Sequence, residues 1–178
     1  MDYIETMVES DLIYDGRIIK VKNDTVRLHT GAIAKREVVV HNGGVGVIPI
    51  DADGNAYLVR QFRYPFGESV LEIPAGKLEI GEDPFECAVR ELSEETGFTA
   101  DEYTYLGRFY PTPGYCQETL HVYMARGLTA GKMHLDENEH LDVEKYPLKE
   151  LVDMSMRGEI LDAKTIIGIL KANMVIFG

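Results

Sequence analysis

The chain has 178 residues, 45% of them hydrophobic and 27% charged, with a formal net charge of −12. That length suits one domain with a modest extension, and the acidic balance excludes the clustered cations on which nucleic-acid binders depend. The opening MDYIETMVES is acidic and lacks the cationic start and apolar run of a secretory signal, and apolar stretches such as 45–50 are far too short to span a bilayer. No membrane partner is expected. Two cysteines, Cys87 and Cys116, are too few for a disulfide framework, so a reducing, cytoplasmic setting is the simplest expectation. The charge also implies that a polyanionic substrate would need divalent cations as a bridge.

The first third reads as strands and turns. Residues 12–14 and 17–21 flank the turn pair Asp15-Gly16, and Asn23-Asp24 is expected to break the run before 25–28. Valine-rich 36–41 is another extended segment, and Asn42-Gly43-Gly44 marks a second break. The boundary is placed there, between an N-terminal β extension, 1–42, and a main domain, 43–178. Segments 45–50 and 56–62 follow as a hairpin. A helix is predicted over 84–96: Asp83 caps it, Pro84 suits the first helical position, Glu86 completes a capping box and Gly97 ends it. Residues 103–110 and 121–125 read as strands. Residues 148–156 and 163–172 read as helices, split by Gly158. The order predicts an α+β fold, an α-β-α sandwich of mixed β-sheet flanked by helices, preceded by the antiparallel β extension.

The decisive stretch is GKLEIGEDPFECAVRELSEETGF, 76–98. At ~100° per residue, Phe85, Ala88, Val89, Leu92 and Thr96 fall on one helix face, which should pack on the sheet. Glu91, Glu94 and Glu95 fall together on another, where spacings of three and four make them repel. A generic run of this kind is a solvated face. It becomes favourable when a cation sits among the carboxylates, and hard oxygen ligands suit Mg²⁺ or Mn²⁺.

The stretch resembles the Nudix box. Gly76, Glu82, Arg90, Glu91, Leu92, Glu94, Glu95 and Gly97 fill its places, with Phe98 standing where an aliphatic residue is usual. The resemblance implies a metal-dependent pyrophosphohydrolase. By it, Glu91 and Glu95 are principal metal ligands, Glu94 a further or water-mediated one, and the Ala75 carbonyl often completes the shell. Arg90 would hold a glutamate of the box by charge-assisted hydrogen bonds. Glu82 is either a loop anchor or a distant ligand, and Gly76 and Gly97 serve backbone geometry. Glu118, just after Pro113-Gly114 in a turn-prone segment, is the leading general base, with Glu95 the alternative.

Within the family, the chain is similar to the ADP-ribose pyrophosphatase branch, which is marked by a proline about sixteen positions beyond the box's last glycine; Pro113 lies there, followed by Gly114 and closely by Glu118. REVVVH, VRQFRY, LEIPAGKLE and the stretch from Asp136 to Met154 also resemble it, so the similarity covers nearly the whole chain. The resemblance implies a homodimer with exchanged N-terminal strands. Arg36 would reach a partner's nucleotide, Arg63 would clamp the diphosphate or terminal ribose, and Glu72, Pro113 and Gly114 would line the pocket. Tyr115 would stack near the nucleotide or serve packing. His41 and His121 are expected to be satisfied structural groups, and Glu137 and Glu139 a solvated acidic run able to approach the site. The reaction implied is ADP-ribose plus water giving AMP and ribose 5-phosphate. GDP-mannose or another sugar nucleotide is the alternative substrate, and a silent nucleotide-binding module the alternative class.

Overall fold

The structure, a computed structural model, describes residues 3–135 and 139–178. The chain packs as two compact units, one holding Met1–Gly43 with Tyr110–Thr119, the other Gly44–Phe109 with Leu120–Gly178. Among the described residues no helix is long and apolar enough to cross a membrane.

In the first unit β1 (Thr6–Asp15), β2 (Lys20–Arg27) and β3 (Ile33–Val40) form an antiparallel sheet in that order. Asn23-Asp24 does not break β2. As the central strand it pairs on both sides, Asn23 with Asp11 and Glu37, and Ser10 donates its hydroxyl to Asp24 at 2.5 Å. Ladder bonds on two edges outweigh a weak local turn preference. The reversal comes later, where Gly31, at φ 87°, donates to the Leu28 carbonyl. The Asp15-Gly16 turn is also wider than a two-residue loop: Gly16 donates to the Ile19 carbonyl, and β2 starts at Lys20. Segment 110–119 adds an edge to this sheet, since Val39 N–H donates to the Tyr115 carbonyl and Gln117 N–H to the Val39 carbonyl.

The second unit holds β4 (Gly44–Pro49), β5 (Asn55–Arg63), β6 (Glu68–Glu72), β7 (Ala75–Lys77), α1 (Pro84–Thr96), β8 (Phe98–Phe109), β9 (Leu120–Ala130), β10 (Leu141–Pro147), α2 (Leu148–Met156) and α3 (Ala163–Phe177). One sheet runs β7-β4-β9-β8, with β4 and β9 parallel and the other neighbours antiparallel; a second runs β10-β5-β6. This mixed sheet with three helices is the α-β-α arrangement expected from the order of elements.

Every residue of β4 is buried, which is why it reads as an unbroken apolar run. Alternation then sorts its side chains by face. Val45 and Val47 join Cys87, Ala88 and Leu92 of α1 with Tyr123 and Ala125. Ile48 joins Leu58, Ile73, Val122, Met124, Leu151, Ile160 and Ile169 on the side of α2 and α3. Each fully buried aliphatic contributes roughly 1.5–3 kcal/mol against exposure.

Three strands escaped the sequence reading. β6 and β7 are short and flank Pro74, and β10 alternates charges along an exposed edge, so none shows an apolar run. The face assigned to α1 is also corrected. Its buried residues are Cys87, Ala88, Glu91, Leu92, Glu95 and Thr96, while Phe85 is 41% exposed and Val89 half-buried. The helix is therefore rotated so that two of its glutamates point inward. α3 also runs on past residue 172 to Phe177.

Candidate active site

The start of α1 is built on the expected Asp83 cap, although among the described residues Glu86 returns no side-chain hydrogen bond to complete the capping box. Asp83 accepts the amide hydrogens of Phe85 and Glu86, and Gly97, at φ 73°, closes the other end on the Ser93 carbonyl. The caps set where the helix starts and stops, and its packing carries Glu91 and Glu95 against β7. Glu95, 2% exposed, takes the Ala75 N–H on Oε2 at 2.9 Å. Glu91, 9% exposed, lies over Gly76, where an added Cβ would stand 1.7 Å from its Oε1. The box begins with glycine because the carboxylate occupies the space a side chain would need.

Arg90 organises the remaining acids. Its Nε and Nη2 donate to Glu82 at 3.0 and 3.2 Å, and its Nη1 donates to Glu91 at 2.7 Å and Glu94 at 2.9 Å. Burial works against the Arg90 charge, but Glu82, Glu91 and Glu94 hold it firmly protonated. Glu82 is in turn held below the usual carboxylate range by Arg90, and it accepts the Glu79 N–H at 2.8 Å. Glu82 thus ties the loop before α1 to the guanidinium. Cys87, whose thiol burial pushes up to about 12, is inert.

A second charged cluster lies in the same unit. Glu72, 3% exposed at the end of β6, accepts Arg63 Nε at 2.6 Å and Nη2 at 2.9 Å, and also Lys164 Nζ. Burial would raise its pKa, but Arg63 and Lys164 hold the carboxylate below the usual range. Lys164 and Asp162, which lie 3.1 Å apart, were not singled out in the sequence. The available signal was a lysine in the first turn of a helix, where the helix dipole disfavours a cation without acidic partners.

The electrostatics leave a deficit on α1. Burial, with Glu91 and Glu139 nearby, pushes Glu95 up to about 8 despite the Ala75 N–H and Lys164. Burial likewise raises Glu91, against Arg90, with Glu94 and Glu139 adding to the rise. Among the described residues no three acidic, histidine or cysteine side chains converge as they stand on a common point, since Glu91 and Glu94 both turn to Arg90. Yet buried carboxylates short of positive charge and a set of oxygen-only donors suit a hard divalent cation. Glu139, from the acidic run, does approach, since its charge is felt by both Glu91 and Glu95, while Gln61 donates to it at 3.3 Å. Glu137 lies outside the described residues.

The other expected residues, His121 apart, belong to the first unit. Arg36 forms a two-pronged ion pair with Glu5, at 2.5 and 2.9 Å. Pro113 and Gly114 occupy an exposed turn closed by Cys116 N–H on the Thr112 carbonyl, and a Cβ on Gly114 would meet nothing within 4 Å. Glu118 is half-buried, 3.7 Å from His41, whose Nδ1 accepts the Gly43 N–H. Tyr115 is 59% exposed. His121, in the second unit, shares a hydrogen bond with the Tyr105 hydroxyl at 3.1 Å.

Gly76→Ala tests the packing of the acidic face. It is expected to leave the fold intact, displace Glu91 and cut kcat/KM by about a hundredfold or more. Steady-state kinetics beside a thermal melt checks this; an unchanged rate would mean that Glu91 need not stand over Gly76.

Residues 40–166 match the family model described as the NUDIX domain, and residues 5–39 match the nucleoside diphosphate sugar hydrolase N-terminal domain. The chain is 40% identical to the methanol dehydrogenase activator of Bacillus methanolicus, over 93% of this chain and 90% of that one. It is 39% identical to the ADP-ribose pyrophosphatase of Bacillus subtilis (strain 168), over 90% and 88%. Among solved structures it resembles an ADP compounds hydrolase with a TM-score of 0.86 at 23% identity, over 96% of this chain and 93% of that one, a likeness of fold.

Proposed function

The chain belongs to the Nudix family, and from that membership we propose that it hydrolyses the pyrophosphate bond of ADP-ribose, giving AMP and ribose 5-phosphate. The observation that carries this reading is the pair of buried carboxylates on α1, Glu91 and Glu95, beside a glycine that leaves them room. Mg²⁺ is the assigned cofactor, with Mn²⁺ able to substitute; Glu91 and Glu95, together with Glu94 and the Ala75 carbonyl, would hold it. When bound, it supplies charge neutralisation at the diphosphate and a lower pKa for the attacking water.

The chain's own groups do the rest. Arg90 holds Glu91 and Glu94 in place, and Arg63 offers the diphosphate a planar guanidinium. Glu72 lines the pocket beside Arg63, and Arg36 and the Pro113-Gly114 turn contribute substrate contacts from the N-terminal unit. One carboxylate takes a proton from the attacking water. Glu118 is assigned that role, and Glu139, whose charge reaches Glu91 and Glu95, is the second candidate.

The acting species is a homodimer with exchanged N-terminal strands. β1 is exposed along its whole length, and Met7, Val8, Leu12, Ile13 and Tyr14 are each more than half exposed. An edge so apolar in a three-stranded sheet calls for a cover. Two free thiols and an acidic surface fit the cytoplasm.

Chromatographic turnover of ADP-ribose, GDP-mannose, NADH, a diadenosine polyphosphate and a nucleoside triphosphate, with and without EDTA, tests the reading. ADP-ribose is expected to be cleaved fastest, and EDTA to stop it. A faster sugar nucleotide would keep the chemistry and discard Pro113 as a substrate marker. Binding without turnover of any of them would make the chain a nucleotide-binding module.

A further inference from the structure

Lys164 is placed unlike a surface lysine. Its side chain is 11% exposed, and its stem runs past Gly46 of β4. It stands in the first turn of α3, where the helix N-terminus opposes a cation. Asp162 Oδ1 at 3.1 Å and Glu72 Oε2 offset that opposition. The turn itself is pinned beside Glu72. Thr165, fully buried, accepts the Ile73 N–H on Oγ1 at 2.8 Å and donates the same hydroxyl to Asp162 at 2.6 Å.

The charges in this cluster are two cations, Arg63 and Lys164, and two carboxylates, Glu72 and Asp162. Arg63 uses Nε and Nη2 on Glu72, while among the described residues its Nη1 makes no hydrogen bond, and the side chain is 39% exposed. The fork on Glu72 takes Nε and Nη2 and leaves Nη1 on the far side of the guanidinium. Lys164 adds a second cation on Oε2, so that Arg63 is not alone in neutralising the buried carboxylate and keeps attraction for an anion at Nη1.

We propose that Lys164 is a positioning residue for substrate binding: by serving Glu72 Oε2 it lets Arg63 turn its open Nη1 edge to the diphosphate of a nucleoside diphosphate sugar. The proposal rests on the reading of Arg63 as a diphosphate ligand. It assigns Lys164 no contact with substrate, so its effect on KM passes through Arg63, while its charge on Glu95 would register in kcat.

A double-mutant cycle tests it with ADP-ribose and saturating Mg²⁺ on the full chain. Lys164→Met is expected to raise KM about tenfold with kcat within about threefold. In an Arg63→Ala background the same substitution is expected to change KM less than about twofold. An equal KM increase in both backgrounds, or a lower melting temperature with KM unchanged, overturns the proposal. If Arg63→Ala alone leaves KM unchanged, the reading of Arg63 fails first and the proposal with it. Lys164→Gln, which keeps length and a donor without charge, serves the same cycle should the methionine variant fold poorly.

Discussion

Glu95→Gln is expected to lower kcat for ADP-ribose by about a thousandfold at saturating Mg²⁺, with the melting temperature level or higher. Two observations set these directions. The carboxylate is 2% exposed, and burial pushes its pKa up to about 8, so the fold disfavours its charge. The amide matches the protonated acid in shape, can still accept the Ala75 N–H, and removes that unfavourable charge. What it loses is a hard anionic ligand, and with it the charge that binds a divalent cation. Melts in EDTA and in Mg²⁺ separate the two effects. The wild-type protein is expected to gain stability on Mg²⁺ addition by mass action, and the variant to gain less. A rate within threefold of wild type would remove Glu95 from the site.

Glu118→Gln is expected to slow turnover about a hundredfold while leaving the Mg²⁺ midpoint in place, as loss of a general base should. The matched variant is Glu139→Gln. Glu139 acts on Glu91 and Glu95 through its charge and is held by Gln61, so its removal relaxes the repulsion on both. If Glu118 is the base, Glu139→Gln changes the Mg²⁺ midpoint more than kcat. The opposite pattern, an unchanged Glu118→Gln rate with a collapsed Glu139→Gln rate, moves the base to Glu139. Rate against Mg²⁺ concentration for both variants decides the matter.

What the sequence determined by itself was local. The limits of α1 follow from Asp83, Pro84 and Gly97, whose capping chemistry needs only neighbouring backbone. The family, and with it Glu82, Arg90, Glu91, Glu94 and Glu95, follows from fixed spacing along one helix and the loop before it. The buried character of β4 follows from its unbroken apolar run.

Tertiary structure decided the rest, because those outcomes depend on groups distant in the chain. Which face of α1 turns inward is set by β7, where Gly76 makes room for a carboxylate and Ala75 offers an N–H. Phe85 and Val89 would have won that face on hydrophobicity alone. Asn23-Asp24 stays in β2 because strands pair on both sides of it, which no turn propensity reveals. Lys164 reaches Glu72 across 92 residues, and a contact of that separation leaves no periodicity to read. Burial then turned acids that would titrate ordinarily in water into groups that resist their own charge, and that property exists only once the chain has packed around them.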